Sequence, residues 1–325
     1  MTKMIAKDCL LIGLGQIGMG YDLLIKNNYI FTHAKAISSH EDFNLVAAVD
    51  KSSERRKQFT EKYQLPVYEN LEDALINLDV SVVIIATPTK THEKILELIL
   101  MHLTPELILC EKPLAYDLDA ATKMLNMCQE KDIMLYVNYM RRSEIGALHV
   151  KQMISTNIIE TPLKGFAWYT KGLMNNGSHF LNLLEYWLGP IISTKTLSQG
   201  QIWNEIDPEY DFIATFELGE IIFSSCNEQS STYNSVEMIG PSGRLHYIEG
   251  GEIINWHEVS PDPILNGHSK LSVLPKVIEN NMHQYQYSVY QEISNALNGL
   301  DYNLCSAVDA LNTLKHIDKL GEKNE

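Results

Sequence analysis

The stretch Cys9-Leu10-Leu11-Ile12-Gly13-Leu14-Gly15-Gln16-Ile17-Gly18 joins a short, wholly apolar run to a GxGxxG loop. An apolar run of strand length without polar alternation reads as a strand buried on both faces. Glycines at this spacing directly after such a strand allow a tight turn and let the backbone approach a pyrophosphate. The phosphate charge is met by free amides at a helix N-terminus. Gly13, Gly15, Gln16, Ile17 and Gly18 are therefore read as dinucleotide contacts.

The next strand-like run, Phe43 to Val49, ends on Asp50. A carboxylate there accepts hydrogen bonds from the adenosine ribose and disfavours a 2′-phosphate, which predicts NAD in preference to NADP. Lys51 follows as a further cofactor contact, with Arg55 and Arg56 close enough to host a phosphate. Gly15 and Asp50 are 35 residues apart, where about 20 is usual. The excess reads as an insertion, approximately Tyr21 to Thr32, before a helix that begins near His33. This insertion is expected to lie over the cofactor or the substrate mouth.

From residue 7 to about 138, apolar runs (Cys9–Ile12, Leu45–Val49, Val80–Ala86, Leu107–Cys110, Ile133–Val137) alternate with helical patterns. That alternation is the grammar of a parallel sheet. After about residue 190 the texture changes to polar/apolar alternation, as in Phe212, Ala214, Phe216 and Leu218. A turn is predicted at Gly219-Glu220 and another at Gly240-Pro241-Ser242-Gly243, so the second half is a mostly antiparallel sheet. Two helices, near 280–298 and 305–318, end the chain.

Composition narrows the function. The 325 residues carry 26 Lys and Arg against 41 Asp and Glu, a net charge of −15, and 45% are hydrophobic. A chain so acidic is repelled by nucleic-acid phosphates unless it concentrates a basic patch, and the sequence shows none. No run approaches the roughly 18 apolar residues of a membrane span. The N-terminal apolar stretch is too short for a signal peptide and runs into the glycine loop, so a cytoplasmic location is expected. Cys9, Cys110, Cys128, Cys226 and Cys305 form no CxxC pair. They are expected to be buried, reduced thiols, with no metal site.

Three strings fall where strands of the first sheet should end: Ala86 to His92, Cys110-Glu111-Lys112-Pro113-Leu114, and Val137-Asn138-Tyr139-Met140-Arg141-Arg142. Ligands of open α/β sheets bind outside the carboxyl ends of the strands. Thr87, Pro88, His92, Glu111 and Lys112 are thus candidate cofactor contacts, and Tyr139 and Arg142 candidate substrate contacts. The bond between Lys112 and Pro113 is expected to be trans. Farther on, Phe180, Leu183, Leu184 and Trp187 lie at i, i+3, i+4 and i+7. They predict an amphipathic helix capped by Ser178 or Asn176 and stopped by Gly189. His179, in its predicted first turn, would be kept neutral by the helix dipole and able to accept a proton.

Glycine loop, Thr-Pro with a following His, Glu-Lys-Pro, Asn-x-x-Arg-Arg and the glycine-to-histidine helix occur in an order that resembles the Gfo/Idh/MocA family (glucose–fructose oxidoreductase / inositol dehydrogenase). The segment Glu237 to Leu245 also looks like its later sheet. The resemblance implies an α/β plus α+β chain. Residues 1–138 would form a Rossmann domain with a doubly wound parallel sheet. Residues 139–325 would form a C-terminal, mostly antiparallel open-sheet domain that binds substrate and makes a homodimer or homotetramer.

It also implies NAD(P)-dependent hydride transfer at a carbinol of a sugar, cyclitol or nucleotide sugar. Lys112 would hydrogen-bond the reacting oxygen and His179 would exchange its proton. Many members have aspartate where this chain has Asn175 and Asn182, and an amide cannot accept a proton. Asn175 is kept with the catalytic set, and Lys171, Asn176 and Asn182 join the substrate contacts. Two other classes stay open: a catalytically silent sensor of NAD and a sugar, which Asn175 favours, and an NAD-dependent lyase or glycosidase with transient oxidation.

Overall fold

A computed structural model of the chain describes residues 6–24, 28–226 and 232–321. The chain divides into two compact units, Met1–Ser143 with His283–Leu311, and Glu144–Met282 with Asn312–Glu325. The boundary lies a few residues past the expected 138/139. Residues 283–311, expected in the second domain, instead rejoin the first unit, because the apolar residues Val289, Tyr290 and Ile293 enter its core.

The first unit holds a parallel sheet of β1 (Lys7–Ile12), β2 (Phe43–Val49), β3 (Val67–Tyr68), β4 (Val82–Ile85), β5 (Leu107–Cys110) and β6 (Met134–Val137). Its order is β6-β5-β4-β1-β2-β3, with the short strand Cys305–Ser306 antiparallel on the β6 edge. Every residue of β4 and β5 is buried, which accounts for their unbroken apolar runs. Helices α1 (His33–Ser39), α2 (Ser53–Tyr63), α3 (Leu71–Asn77), α4 (His92–His102) and α5 (Leu118–Gln129) connect the strands. Strand order reverses at β1, between β4 and β2, so the carboxyl ends of β1 and β4 flank the switch point where such sheets take ligands.

The insertion is a bulge out of one helical ladder. After the glycine loop a single turn forms, with Met19 and Gly20 amides donating to Gly15 O at 3.0 and 2.9 Å. The ladder then resumes twelve residues later: His33 N donates to Ile17 O and Ala34 N to Gly18 O, both at 3.0 Å. Without residues 21–32 these would be ordinary i to i−4 bonds, so the excursion leaves the helix in register. Its neck is tied by Asp22. One carboxylate oxygen accepts from Phe31 N, Thr32 N and Thr32 Oγ1 at 3.0, 2.8 and 2.7 Å. Its far side packs on the returning segment, with Ile30 N donating to His283 O and Phe31 stacked on Tyr285. Residues 25–27 of the excursion, which as a whole was expected to lie over the cofactor or the substrate mouth, are outside the described residues.

In the second unit α6 (Ile145–Ser155) and α7 (Ser178–Leu188) pack on a sheet of β7 (Leu163–Tyr169), β8 (Ile191–Ser198), β11 (Asp211–Phe216), β12 (Gly219–Ser225), β13 (Ser235–Gly240), β14 (Gly243–Ile248), β15 (Ile253–Pro261) and β16 (Ser269–Leu271). Its order is β16-β15-β14-β13-β7-β12-β11-β8, and β17 (Lys276–Val277) pairs with β15. Short β9 (Ile202–Trp203) and β10 (Asp207–Pro208) form a separate ribbon. All pairs in the main sheet are antiparallel except β12 with β7. Alternate residues of β11 and β12 are buried with Phe180, Leu183, Leu184 and Trp187, so the predicted apolar stripe of α7 is the helix's core face.

The first hairpin turns two residues earlier than expected. Phe216 pairs with Gly219 across Glu217-Leu218. Gly219 belongs to the strand, where a Cβ would come 2.3 Å from Leu163 O. The second turn falls as read, Gly240 pairing with Gly243. Helices α8 (Tyr285–Leu297) and α9 (Ala307–Leu320) close the chain near the expected places. All five cysteines are free, and Cys226 is half-buried where a buried thiol was expected. Among the described residues no helix is long and apolar enough to cross a membrane.

Candidate active site

The three glycines of the loop do different work. Gly13 has φ +102 and a Cβ there would lie 2.5 Å from Ala86 O, so it makes the turn against the end of β4. A Cβ at Gly18 would lie 2.1 Å from Gly13 O, so it lets the helical turn close onto the strand. At Gly15 the nearest atom is Arg55 Nη1 at 3.9 Å, which leaves open space above the backbone. Two tight glycines and one open one fit a bound pyrophosphate. Asp50 stands beside this space, its carboxylate accepting from Leu14 N at 2.7 Å and Ser52 N at 2.8 Å. Arg55 Nη1 is 3.7 Å from Asp50 Oδ2, whereas Arg56 is committed to the carbonyls of Asp50 and Lys51 and to Glu69. Lys51 is exposed.

The ends of β4 and β5 are pinned to each other. Thr87 accepts a hydrogen bond from Thr91 Oγ1, and Pro88 O accepts from Thr91 N. His92, read as a cofactor contact, is fully buried with Nε2 2.9 Å from Thr87 O and Nδ1 3.1 Å from Leu114 O. Burial holds its pKa below the usual histidine value. Both nitrogens face carbonyls, so the ring clamps the two loops instead of reaching a ligand. The Lys112–Pro113 bond is cis, contrary to expectation.

Glu111, also read as a cofactor contact, turns its carboxylate into the unit. Oε1 lies 2.9 Å from His33 Nε2 and accepts from Asn138 Nδ2 at 2.6 Å, and Oε2 accepts from Lys112 N at 3.3 Å. Burial opposes its charge, but the hydrogen bonding and electrostatic attraction of His33, then the hydrogen bond from Asn138 and last the charge of Lys112, outweigh this and hold the carboxyl below its usual range. Lys112 itself is half-buried. Tyr139 is buried. Arg142, read as a substrate cation, lies 3.2 Å from Asp309. That carboxylate also accepts from Ser306 N at the start of α9, which makes the pair a structural tie.

In the second unit the helix of His179 begins earlier than expected. A π-turn, Leu173–Gly177, runs directly into α7, and neither Ser178 nor Asn176 caps it. The cap comes from a distant strand. Asp207 accepts from Met174 N at 2.8 Å and from Asn175 N at 2.9 Å, and Glu209 accepts from Gly172 N at 3.1 Å. Gly172, with φ +81, is required because a Cβ would lie 2.1 Å from Asp207 Oδ2. His179 is therefore a turn deeper than a first-turn residue, and 7% exposed.

Lys171 adopts φ +64 beside Gly172, and its carbonyl accepts from Asn175 Nδ2 at 3.1 Å. Asn176 N donates to Gly172 O. Asn182, read as a substrate contact, is fully buried and donates to Thr313 Oγ1 at 2.9 Å, tying α7 to α9. Three residues past His179 is an inward position of this helix.

Sequence reading missed His33, Gln286, Tyr290 and Asp207. Single polar residues in helices carry no local signal of their partners, and Asp207 lies 32 residues from the amide it caps. Among the described residues no group of three His, Cys, Asp or Glu is placed to hold a metal ion.

Residues 7–139 match the Gfo/Idh/MocA model, described as an oxidoreductase family with an NAD-binding Rossmann fold. An inositol 2-dehydrogenase of Mycolicibacterium vanbaalenii is 35% identical over 92 residues, 28% of this chain and 26% of the relative. The matched stretches span 26% to 43% of the length of the curated relatives. An Agrobacterium radiobacter oxidoreductase, solved with NAD+, L-tartaric acid and magnesium, superposes with TM-score 0.73 at 16% identity, covering 98% of this chain and 97% of that one. The WlbA dehydrogenase of Bordetella pertussis, solved with NADH and UDP-GlcNAcA, gives 0.75 at 17%, covering 98% of each. At such identities the likeness carries the two-domain fold.

Two outcomes follow from this geometry. Gly15→Ala is expected to keep the wild-type melting temperature but weaken NADH binding at least tenfold, whereas Gly18→Ala should lose about 1–3 kcal/mol of stability through backbone overlap. Melting curves beside NADH fluorescence titrations separate the two. Glu111 has a depressed folded pKa, so its contribution is present above the unfolded value of about 4.3 and is lost as pH falls through the folded one. Denaturant titrations should therefore show Glu111→Gln less stable by about 2 kcal/mol near pH 7, with the gap closing below pH of about 4. A gap that persists into acid would contradict this.

Proposed function

We propose that this chain is an NAD-dependent dehydrogenase that moves a hydride between nicotinamide and a carbinol carbon of a sugar, cyclitol or nucleotide sugar. The observation that supports it most is Lys112, whose backbone amide donates to the buried Glu111 carboxylate at the carboxyl end of β5, within the stretch that matches an NAD-binding family. Bound NAD would supply the hydride acceptor. In the oxidising direction the Lys112 ammonium donates a hydrogen bond to the reacting oxygen and stabilises its developing negative charge. His179 accepts the hydroxyl proton. Asp50, tied to Leu14 and Ser52, would take the ribose hydroxyls, and the commitment of Arg56 elsewhere supports NAD over NADP.

Of the substrate contacts read from sequence, Tyr139, Lys171 and Asn176 stay in the proposal. The relatives named for inositol and the neighbour solved with UDP-GlcNAcA favour cyclitols and nucleotide sugars as the first compounds to try. A Lys171 cation would suit an acidic sugar. Asn175 favours the alternative of a silent NAD and sugar sensor, since its amide accepts no proton.

A cytoplasmic location and assembly through the second sheet also belong to the proposal. On its outer face Trp168, Ile222 and Ile239 are 38%, 37% and 47% exposed on the adjacent strands β7, β12 and β13. A homodimer or homotetramer would cover them, and a monomer mass in light scattering across micromolar concentrations would remove this part.

The activity is read at 340 nm with near-stoichiometric protein and NAD, mixed with inositols, hexoses, uronic acids and nucleotide sugars. Absorbance is expected to rise with the wild type and to fall at least a hundredfold in rate with Lys112→Ala. No rise with any compound, while NADH still quenches tryptophan fluorescence, favours the sensor.

A further inference from the structure

The buried carboxylate behind Lys112 sits in a closed ring of side chains drawn from four parts of the first unit. Asn138 Nδ2 donates to Glu111 Oε1 at 2.6 Å and to Gln286 Oε1 at 3.2 Å. Gln286 Nε2 lies 3.0 Å from His33 Nδ1, and His33 Nε2 lies 2.9 Å from Glu111 Oε1. Tyr290 OH is 3.0 Å from the same Nδ1. Hydrogen positions follow from partner chemistry. Because Gln286 Oε1 faces an amide donor, Gln286 Nε2 must donate to His33 Nδ1, so the imidazole carries its proton on Nε2 and donates to Glu111. The Gln286 amide and the Tyr290 hydroxyl then share the one lone pair of Nδ1.

Other groups near the carboxylate add no competing charge. They are His92 of α4, Cys110 of β5, and Tyr285 and Tyr290 of α8, besides His33 of α1 and Lys112 of the same loop. Burial pushes the thiol and both phenols up and His92 down, toward their neutral forms.

We propose that His33, with Gln286 and Asn138, is a positioning residue that keeps Glu111 ionised and aimed at its own loop, so that Lys112 stays an ammonium. The effect is reciprocal: if the lysine's charge favours the carboxylate, the carboxylate favours the ammonium by the same amount. His33 is also the first residue of α1 after the bulged ladder, and Gln286 N reaches Ile30 O of the excursion at 3.4 Å. The excursion's two anchors are thus the two helices that complete the ring. This inference deepens the dehydrogenase reading, on which the value of a charged Lys112 rests.

The test reads the lysine directly. Trace acetic anhydride labels free amines, and mass spectrometry of the Lys112 peptide across pH gives the midpoint of its deprotonation with no substrate needed. Glu111→Gln is expected to lower that midpoint by about one pH unit. His33→Leu and Gln286→Leu should shift it in the same direction, and His33→Gln, which keeps a donor toward Glu111, should restore part of it. A ring that only stabilised the fold would lower the melting temperature and leave the midpoint in place. Identical midpoints in wild type, Glu111→Gln and His33→Leu proteins that still quench with NADH overturn the proposal, and Gln286→Leu decides it if His33→Leu does not fold. Midpoints that shift as expected, in a protein whose Lys112→Ala variant still reduces NAD at the wild-type rate, sink the catalytic reading of Lys112 and leave the ring standing.

Discussion

At the carboxyl edge of β1 the chain turns within hydrogen-bond distance of both neighbours. Gly13 N donates to Val49 O on one side, and Ala86 N donates to Ile12 O on the other, each at 2.8 Å. This contact is possible only with glycine at position 13, where any Cβ would overlap Ala86. Much else in the first unit follows from it. The glycine loop is drawn down between the ends of β2 and β4, the amide of Leu14 is presented to Asp50, and the space over Gly15 is left open. The loop chemistry is a consequence of strand packing, because the switch point brings three strand ends together where the backbone has no further ladder to join.

Polar residues behind that edge do a different kind of work. His92 and Glu111 are the residue types expected to meet a ligand, yet both face inward. Burying an ionised or polar group without partners costs several kcal/mol, and each is placed against polar groups of the neighbouring elements. His92 holds the loops after β4 and β5 together, and Glu111 holds the second of these against α1 and α8. The half-buried Lys112 follows Glu111 directly, just past the end of β5.

The second unit builds its helix start from the same economy of partners. A π-turn exposes amides that an ordinary capping residue cannot reach together, and such turns recur at functional sites. Here two carboxylates supply the acceptors, Asp207 for residues 174 and 175 and Glu209 for residue 172. The side-chain NH2 groups of Asn175 and Asn182 donate to Lys171 O and Thr313 Oγ1. A carboxylate is thus present at the start of this helix, though not at either position where the family pattern would place one.

Legibility followed the range of the forces involved. The strands of the first sheet, the glycine loop, the stripe of α7 and even the length of the insertion were readable, because each is a local pattern set by backbone period or by the absence of a Cβ. Partner assignments were not. Arg142 with Asp309, Asn182 with Thr313, Asp207 with the π-turn and His33 with Glu111 join residues 32 to 167 positions apart. Nothing in the local sequence distinguishes a polar side chain that will meet a ligand from one that will satisfy another part of the chain. The sequence by itself determined the sheet grammar and the dinucleotide loop. Only the tertiary structure decided which charged and amide groups remain to do chemistry, since buried polar groups must first be satisfied.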